Sequence, residues 1–339
     1  MNVEQLTRTA QAMVAAGKGI LAIDESTGTI TKRFDQIGLE STEDHRRAYR
    51  EMLLSTPDLG QHISGAILYD ETLRQTASTG QSFVDLMKKA GIIPGIKVDK
   101  GAHLLAGHPG EMITEGLDGL RDRLAEYAKL GAGFAKWRAV IKIDDNAPTS
   151  ACVDANAHAL ARYAALCQEA DIVPIVEPEV LMNGSHDLDT SYEVTEATLK
   201  SLFSALFEQG VLLEGTILKA SMVIAGDECA EQASVPEVAE ATLQCLYNAV
   251  PASTAGIVFL SGGQSEIVAT QHLDAMNSVG PHPWPLSFSY GRALQHGALL
   301  KWGEDITQNV AAAQAILAHR ARCNGLAATG QYDESVEAA

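Results

Sequence analysis

No long hydrophobic run occurs anywhere in these 339 residues. The longest, such as Gly256–Leu260 and Ile172–Val176, fall far short of the roughly 20 apolar residues that a membrane helix needs. The opening stretch, Met1 to Arg8, is polar and carries no apolar core of the signal-peptide kind. Cysteine is sparse and unpatterned. Cys152, Cys167, Cys229, Cys245 and Cys323 form no CxxC pair, and an odd set fits reduced thiols better than a disulfide frame or a zinc site. A cytoplasmic location is expected from this. Positive charge is also lacking: 25 Lys and Arg stand against 43 Asp and Glu, a net charge of -18. That balance argues against nucleic acid or an anionic membrane as partner, since phosphate backbones need clustered cations. An anionic small substrate then requires a local group of cations strong enough to overcome the global field. No Pro/Ser-rich linker divides the chain, so one domain over residues 1–339 is expected, with a tail from about residue 325.

With 46% hydrophobic and 20% charged residues, a sizeable core is available. Short apolar runs alternate with amphipathic stretches: Gly19–Ile23, Gly65–Leu68, Ile92–Val98, Gly133–Trp137, Ile172–Val176, Thr216–Leu218, Gly256–Leu260 and Leu286–Ser289. Between them, segments such as Asp118–Leu130 and Asn156–Glu169 have helical spacing, with Leu160, Tyr163, Ala164 and Cys167 recurring at three and four. Strand then helix, repeated eight times, predicts a parallel sheet, and a closed (β/α)8 barrel is its simplest form. An N-terminal helix over about Asn2–Ala16 is predicted ahead of the first strand.

The informative residues interrupt the runs at their carboxyl ends. They are Asp24, Lys97, Lys136 with Arg138, Glu177 with Glu179, Lys219, Ser261 with Gly262 and Gly263, and Gly291 with Arg292. Alternation along a strand puts Lys136 and Arg138 on one face, and likewise Glu177 and Glu179. Taken singly, each has a plain structural explanation: a rim lysine, a helix-capping aspartate, a glycine turn. Taken together, lysines, arginines and carboxylates converge on one barrel mouth, where barrel enzymes carry their catalytic groups.

A lysine attacks a ketone only as a neutral amine, which burial and neighbouring cations favour. Lys219 sits in a nearly apolar stretch, Gly215 to Val223, and is the expected nucleophile, with Lys136 its rival. The resulting iminium lets a carbon–carbon bond break without a metal. Asp24, Glu177 and Glu179 offer the acid and base groups, and their individual roles stay open on residue grounds. The turn Ser261–Gly263 and Arg292 after Gly291 suit a phosphate, in the position where barrels bind one. Ser26 at a helix start, followed by Lys32 and Arg33, offers with Lys97 and Arg138 a second cationic group. Two phosphate sites flanking a lysine imply a bisphosphorylated open-chain sugar.

Six segments carry a family resemblance: Leu21–Gly28, Gly95–Gly101, Phe134–Arg138, Ile172–Glu179, Leu260–Ser265 and Phe288–Leu294. In order and in residues they resemble class I fructose-bisphosphate aldolase, from about residue 4 to Tyr332. The resemblance implies a cofactor-free, metal-independent barrel enzyme of glycolysis and gluconeogenesis, a homotetramer, acting on phosphorylated ketoses and trioses. It implies Lys219 as the Schiff-base lysine, Glu177 as acid/base for the carbinolamine steps, Glu179 and Lys136 as a supporting pair, and Asp24 as base for cleavage. Ser261, Gly262, Gly291 and Arg292 resemble the C1-phosphate site, and Ser26, Lys97, Arg138 and Arg33 the other end. Two features depart from the family pattern. Lys219-Ala-Ser-Met222 stands where Lys-Pro-Asn-Met is common, and Gly330–Ala339 lacks the terminal tyrosine that assists proton exchange in animal enzymes. The alternatives are a metal-dependent aldolase, for which His103 and His108 are the nearest residues, a Schiff-base enzyme for a monophosphate, and a non-catalytic scaffold.

Overall fold

A computed structural model describes residues 1–338. Eight parallel strands close into a barrel: β1 Gly19–Ile23, β2 Ile63–Leu68, β3 Ile93–Lys97, β4 Phe134–Ile141, β5 Val173–Val180, β6 Ile217–Ala220, β7 Gly256–Phe259 and β8 Leu286–Tyr290. Neighbours in the chain are neighbours in the barrel, and β8 pairs with β1 to close it. Every predicted run is a barrel strand. Helices connect the strands, and among the described residues none is long and apolar enough to cross a membrane.

Three strands differ from expectation in a way that matters. β4 and β5 each run eight residues, paired residue by residue from Phe134 opposite Val173 to Ile141 opposite Val180. β6 runs on to Ala220. Arg138, Glu177, Glu179 and Lys219 therefore stand inside strands and not on the loops beyond them. A polar side chain ends an apolar run in sequence, but it does not end a ladder whose backbone partners continue. The N-terminal helix is shorter than predicted, Val3–Met13, and is capped by Asn2, whose side chain accepts from the Gln5 amide at 3.1 Å. A small hairpin, Ala102–Leu104 with Met112–Thr114, was not anticipated.

Alternation sorts the barrel interior into layers. Ile20, Ala22, Ile67, Phe134, Val173, Ile175, Ile217 and Val258 fill the lower interior, and Leu6, Ala10 and Met13 of the first helix close its floor. Two residues further along the same faces come Asp24, Lys136, Glu177 and Lys219. The lumen thus changes from apolar to charged within one step of the strand period. Phe134 is fully buried, and its ring fills the space beside Gly95, where an added Cβ would come within 2.2 Å of it. Burying such a ring contributes roughly 1.5–3 kcal/mol, and glycine at 95 is what leaves room for it. Above this dry plug, the lumen mouth holds charge.

Candidate active site

Lys136, Glu177 and Lys219 are each under 5% exposed as whole residues. The Lys136 ammonium lies 2.7 Å from Asp24 and 3.1 Å from Glu177. The other Glu177 oxygen lies 3.0 Å from Lys219 Nζ. One carboxylate thus bridges two lysines, and a second carboxylate holds the outer one. Glu177 and Lys219 share a level because β5 and β6 pair Val176 with Leu218.

The electrostatics follow from this geometry. Burial alone pushes the Asp24 carboxyl up, but the ammonium groups of Lys136 and Lys219 outweigh it and hold it well below the carboxylate range. Glu177 behaves alike: burial raises it, while Lys136, Lys219 and Arg138 bring it below its ordinary value. For Lys136, burial disfavours the ammonium, yet Asp24 and Glu177 raise it above a free lysine. Lys136 is therefore a permanent cation at neutral pH, and it is the group that keeps both carboxylates ionised.

Glu179 and Lys136 do not form the pair that the resemblance implied. Glu179 pairs with Arg138, and Lys136 reaches Glu177. Register explains the difference. Lys136 is level with Ile175 and Arg138 with Glu177, so each cation reaches one rung up the neighbouring strand. Glu179 lies two rungs above Lys136, beyond its reach at about 6.6 Å per rung. Burial works against the Arg138 guanidinium, but Glu179 more than offsets it and secures its charge.

Two cavities lie along the segments that follow the barrel strands. One, of about 460 Å³, is lined by Arg33, Gly263, Gln264, Ser265, Arg292 and Gln295 among others. Gly262 and Gly263 have φ of 59° and 113°, the left-handed region that lets a tight turn precede the helix Glu266–Ser278. Gly291 opens the helix that begins with Arg292. The cavity therefore sits where two helix N-termini and two arginines meet, a setting for an anion, with Glu266 as the one carboxylate in its lining. Ser261, Gly262 and Gly291 do not line it; they shape the turns behind Gly263 and Arg292.

The other cavity, of about 590 Å³, is lined by Ser26, Lys97 and Arg138, together with Arg74, Lys100 and Arg123 and the carboxylates of Asp70, Asp99 and Glu126. Arg33 was expected on this side. It stands in the first cavity instead, because the helix Thr27–Asp35 carries Ser26 and Arg33 at opposite ends. Lys97 Nζ donates to the Asp99 carbonyl at 2.9 Å and pairs with its carboxylate. His103 and His108 lie away from the lysines, His108 at 3.4 Å from Glu111 and His103 at 4.0 Å from Glu115.

Sequence reasoning passed over Glu25 and Asp99. Glu25 is buried and joins Arg33, Arg50 at 2.7 Å and Gln295 at 2.7 Å. Asp99 braces Lys97 and accepts from the Gly101 amide at 3.1 Å. Both lie in segments already quoted, Asp99 two residues after Lys97 and Glu25 next to Asp24, but the partners of Glu25 are distant in sequence and gave no sign of its role.

A parallel barrel with lysines buried against carboxylates at its mouth, and with arginines and lysines in two cavities along the segments that follow its strands, defines a class. It is that of barrel enzymes that hold anionic substrates and act on them with amine and carboxyl groups. Comparison with known proteins narrows the class. The family model described as fructose-bisphosphate aldolase class-I matches residues 5–339. A probable fructose-bisphosphate aldolase class 1 of Xanthomonas campestris is 65% identical over 332 residues, covering 98% of this chain and 99% of that one. Fructose-bisphosphate aldolase 1 of Toxoplasma gondii is 53% identical, covering 97% and 91%. The solved structure of Plasmodium falciparum fructose-bisphosphate aldolase, in complex with TRAP and a small-molecule inhibitor, superposes with a TM-score of 0.96 at 50% identity, covering 97% of this chain and 95% of that one. The chain belongs to the class I fructose-bisphosphate aldolases.

Proposed function

We propose that Lys219 is the amine through which this aldolase cleaves fructose 1,6-bisphosphate, reversibly, to dihydroxyacetone phosphate and glyceraldehyde 3-phosphate. The observation that carries the assignment is the single Glu177 carboxylate lying 3.0 Å from Lys219 and 3.1 Å from Lys136. Lys219 must lose a proton before it attacks the ketone carbon. Glu177 is in hydrogen-bond reach to take that proton, and the transfer leaves the net charge of the buried cluster unchanged. The same carboxyl then returns a proton to the carbinolamine oxygen, which leaves as water and gives the iminium. Lys136 is as near to Glu177, but two carboxylates, Asp24 and Glu177, hold its ammonium, whereas among the described residues Lys219 pairs with Glu177 alone.

The iminium draws the C3–C4 bonding electrons toward nitrogen, and the C4 hydroxyl must give up its proton as that bond breaks. Asp24 takes this proton. Its depressed proton affinity sets a condition: transfer occurs only as the oxygen becomes an aldehyde and its proton becomes far more acidic. The enamine left on Lys219 is reprotonated at C3 and hydrolysed to dihydroxyacetone phosphate. Arg138, held by Glu179, and Lys97, braced by Asp99, bind the outer phosphate with Ser26. Arg292 and Arg33 bind the C1 phosphate over the turn that contains Ser261, Gly262 and Gly263, beside Gly291. The reading takes residues 1–339 as one barrel domain with a tail from about 325, carries forward a cytoplasmic location from the unpatterned cysteines and polar N-terminus, and a homotetramer from the family resemblance.

Borohydride trapping with dihydroxyacetone phosphate in EDTA, followed by peptide mass spectrometry, tests the assignment. A reduced adduct on Lys219 is expected. An adduct on Lys136, or none until a divalent metal is restored, overturns it.

A further inference from the structure

The helix Val310–Ala327 packs on the outside of the barrel, far in sequence from the lysines, and the C-terminal turn Glu334–Ala338 folds back against it. His319 and Cys323 are four residues apart, hence on one face of that helix. His319 Nε2 is 3.5 Å from Cys323 Sγ and 3.4 Å from a Glu337 oxygen. All three donor atoms lie within 4.8 Å of one another, and this is the one such group of His, Cys and carboxylate side chains among the described residues. Nothing in the aldol chemistry uses them.

From these observations we infer a metal site in which His319, Cys323 and Glu337 bind a borderline-soft divalent cation of the zinc class and fasten the C-terminal turn to the helix. The distances support it. A tetrahedral zinc ion with bonds of about 2.0–2.1 Å to nitrogen and oxygen and about 2.3 Å to sulfur separates N from S by about 3.6 Å and N from O by about 3.4 Å. The chain already holds these atoms at 3.5 and 3.4 Å. Imidazole, thiolate and carboxylate are also the donor set that zinc takes, whereas magnesium and calcium prefer oxygen alone.

The surroundings orient the carboxylate for this task. One Glu337 oxygen accepts from Tyr332 Oη at 2.7 Å and from Arg320 at 2.6 Å, which turns the other toward His319. Outer contacts of this kind fix a ligand's rotamer in metal sites. Arg320 also bonds the second oxygen and adds a positive charge nearby, which lowers affinity. Thiolate and carboxylate together neutralise the divalent ion, and the thiol proton leaves to solvent on binding. Three protein ligands leave a fourth position for water.

Cobalt(II) provides the probe, because a tetrahedral cobalt–thiolate centre has visible ligand-field bands and a sulfur-to-metal charge-transfer band. The full chain, stripped with chelator, is titrated with cobalt chloride. One equivalent is expected to bind with both bands, and zinc chloride to displace it. C323S should lose the charge-transfer band, and H319A and E337Q should each weaken binding at least tenfold. Glu337 lies in the terminal turn, so E337Q remains informative even where a change at buried Cys323 disturbs folding. Absence of the charge-transfer band, its persistence in C323S, or E337Q affinity within threefold of the parent overturns the site.

Discussion

Replacing Glu177 by Gln keeps the shape of the bridge between the two lysines and removes its charge. In the native chain each lysine sits about 3 Å from a Glu177 oxygen. At an effective dielectric of about 20, such a contact is worth roughly 5 kcal/mol of gross attraction, before several kcal/mol of desolvation per ion is set against it. The larger effect is on proton transfer. Glu177 is the one carboxylate paired with Lys219 among the described residues, so E177Q has no group in contact that can take the proton and return it to the carbinolamine oxygen. General acid–base catalysis is worth about 10²–10⁴ in rate, and kcat should fall by that range while KM for fructose 1,6-bisphosphate changes little. The decisive assay is rapid-quench borohydride trapping, which times imine formation separately from overall cleavage. Trapping should slow in parallel with kcat, with the adduct still on Lys219. A trapping rate within threefold of native refutes the role of Glu177, wherever the loss in kcat then arises.

The remaining expectations concern charge, phosphate and packing. In both Asp24 and Glu177 burial acts upward and the lysines win, so the folded values lie below the unfolded ones. Their contribution to stability is thus complete above about pH 4–4.3 and is lost as pH falls through the depressed values. K136M removes the main cation facing both, raises both carboxyls, and should move the acid limbs of activity and of unfolding to higher pH; unshifted profiles count against Lys136 as the group that holds them ionised. R292A removes charge-assisted bonds to phosphate worth about 1.5–3 kcal/mol, which raises KM for the bisphosphate roughly 10- to 150-fold. An unchanged KM would place the C1 phosphate elsewhere. G95A pushes a methyl group to 2.2 Å from the Phe134 ring and should cost about 1–3 kcal/mol in urea unfolding; F134L in the same chain should recover part of it. No recovery would mean that the strain lies in the backbone and not in the ring.

The residues alone determined a great deal. Eight apolar runs, seven of them ending in polar or ionisable residues, mark a barrel and its active face, because a strand's period of two and a helix's period near 3.6 are written locally. Lys219 stands out by the apolar stretch around it, and the Glu177–Pro178–Glu179 spacing places two carboxylates on one face. What the tertiary structure decided is who meets whom. The one-rung reach from β4 to β5, which gives Glu177 to Lys136 and Glu179 to Arg138, comes from strand register. Register is set across the barrel, not along the chain. Arg33 joins Arg292 because a helix of nine residues carries it away from Ser26. Glu25 meets Arg50 and Gln295 across separations of 25 and 270 residues. His319, Cys323 and Glu337 gather only when the terminal turn folds back. Local pattern specifies which face a side chain takes; only closure of the barrel and docking of its outer helices specify its partner.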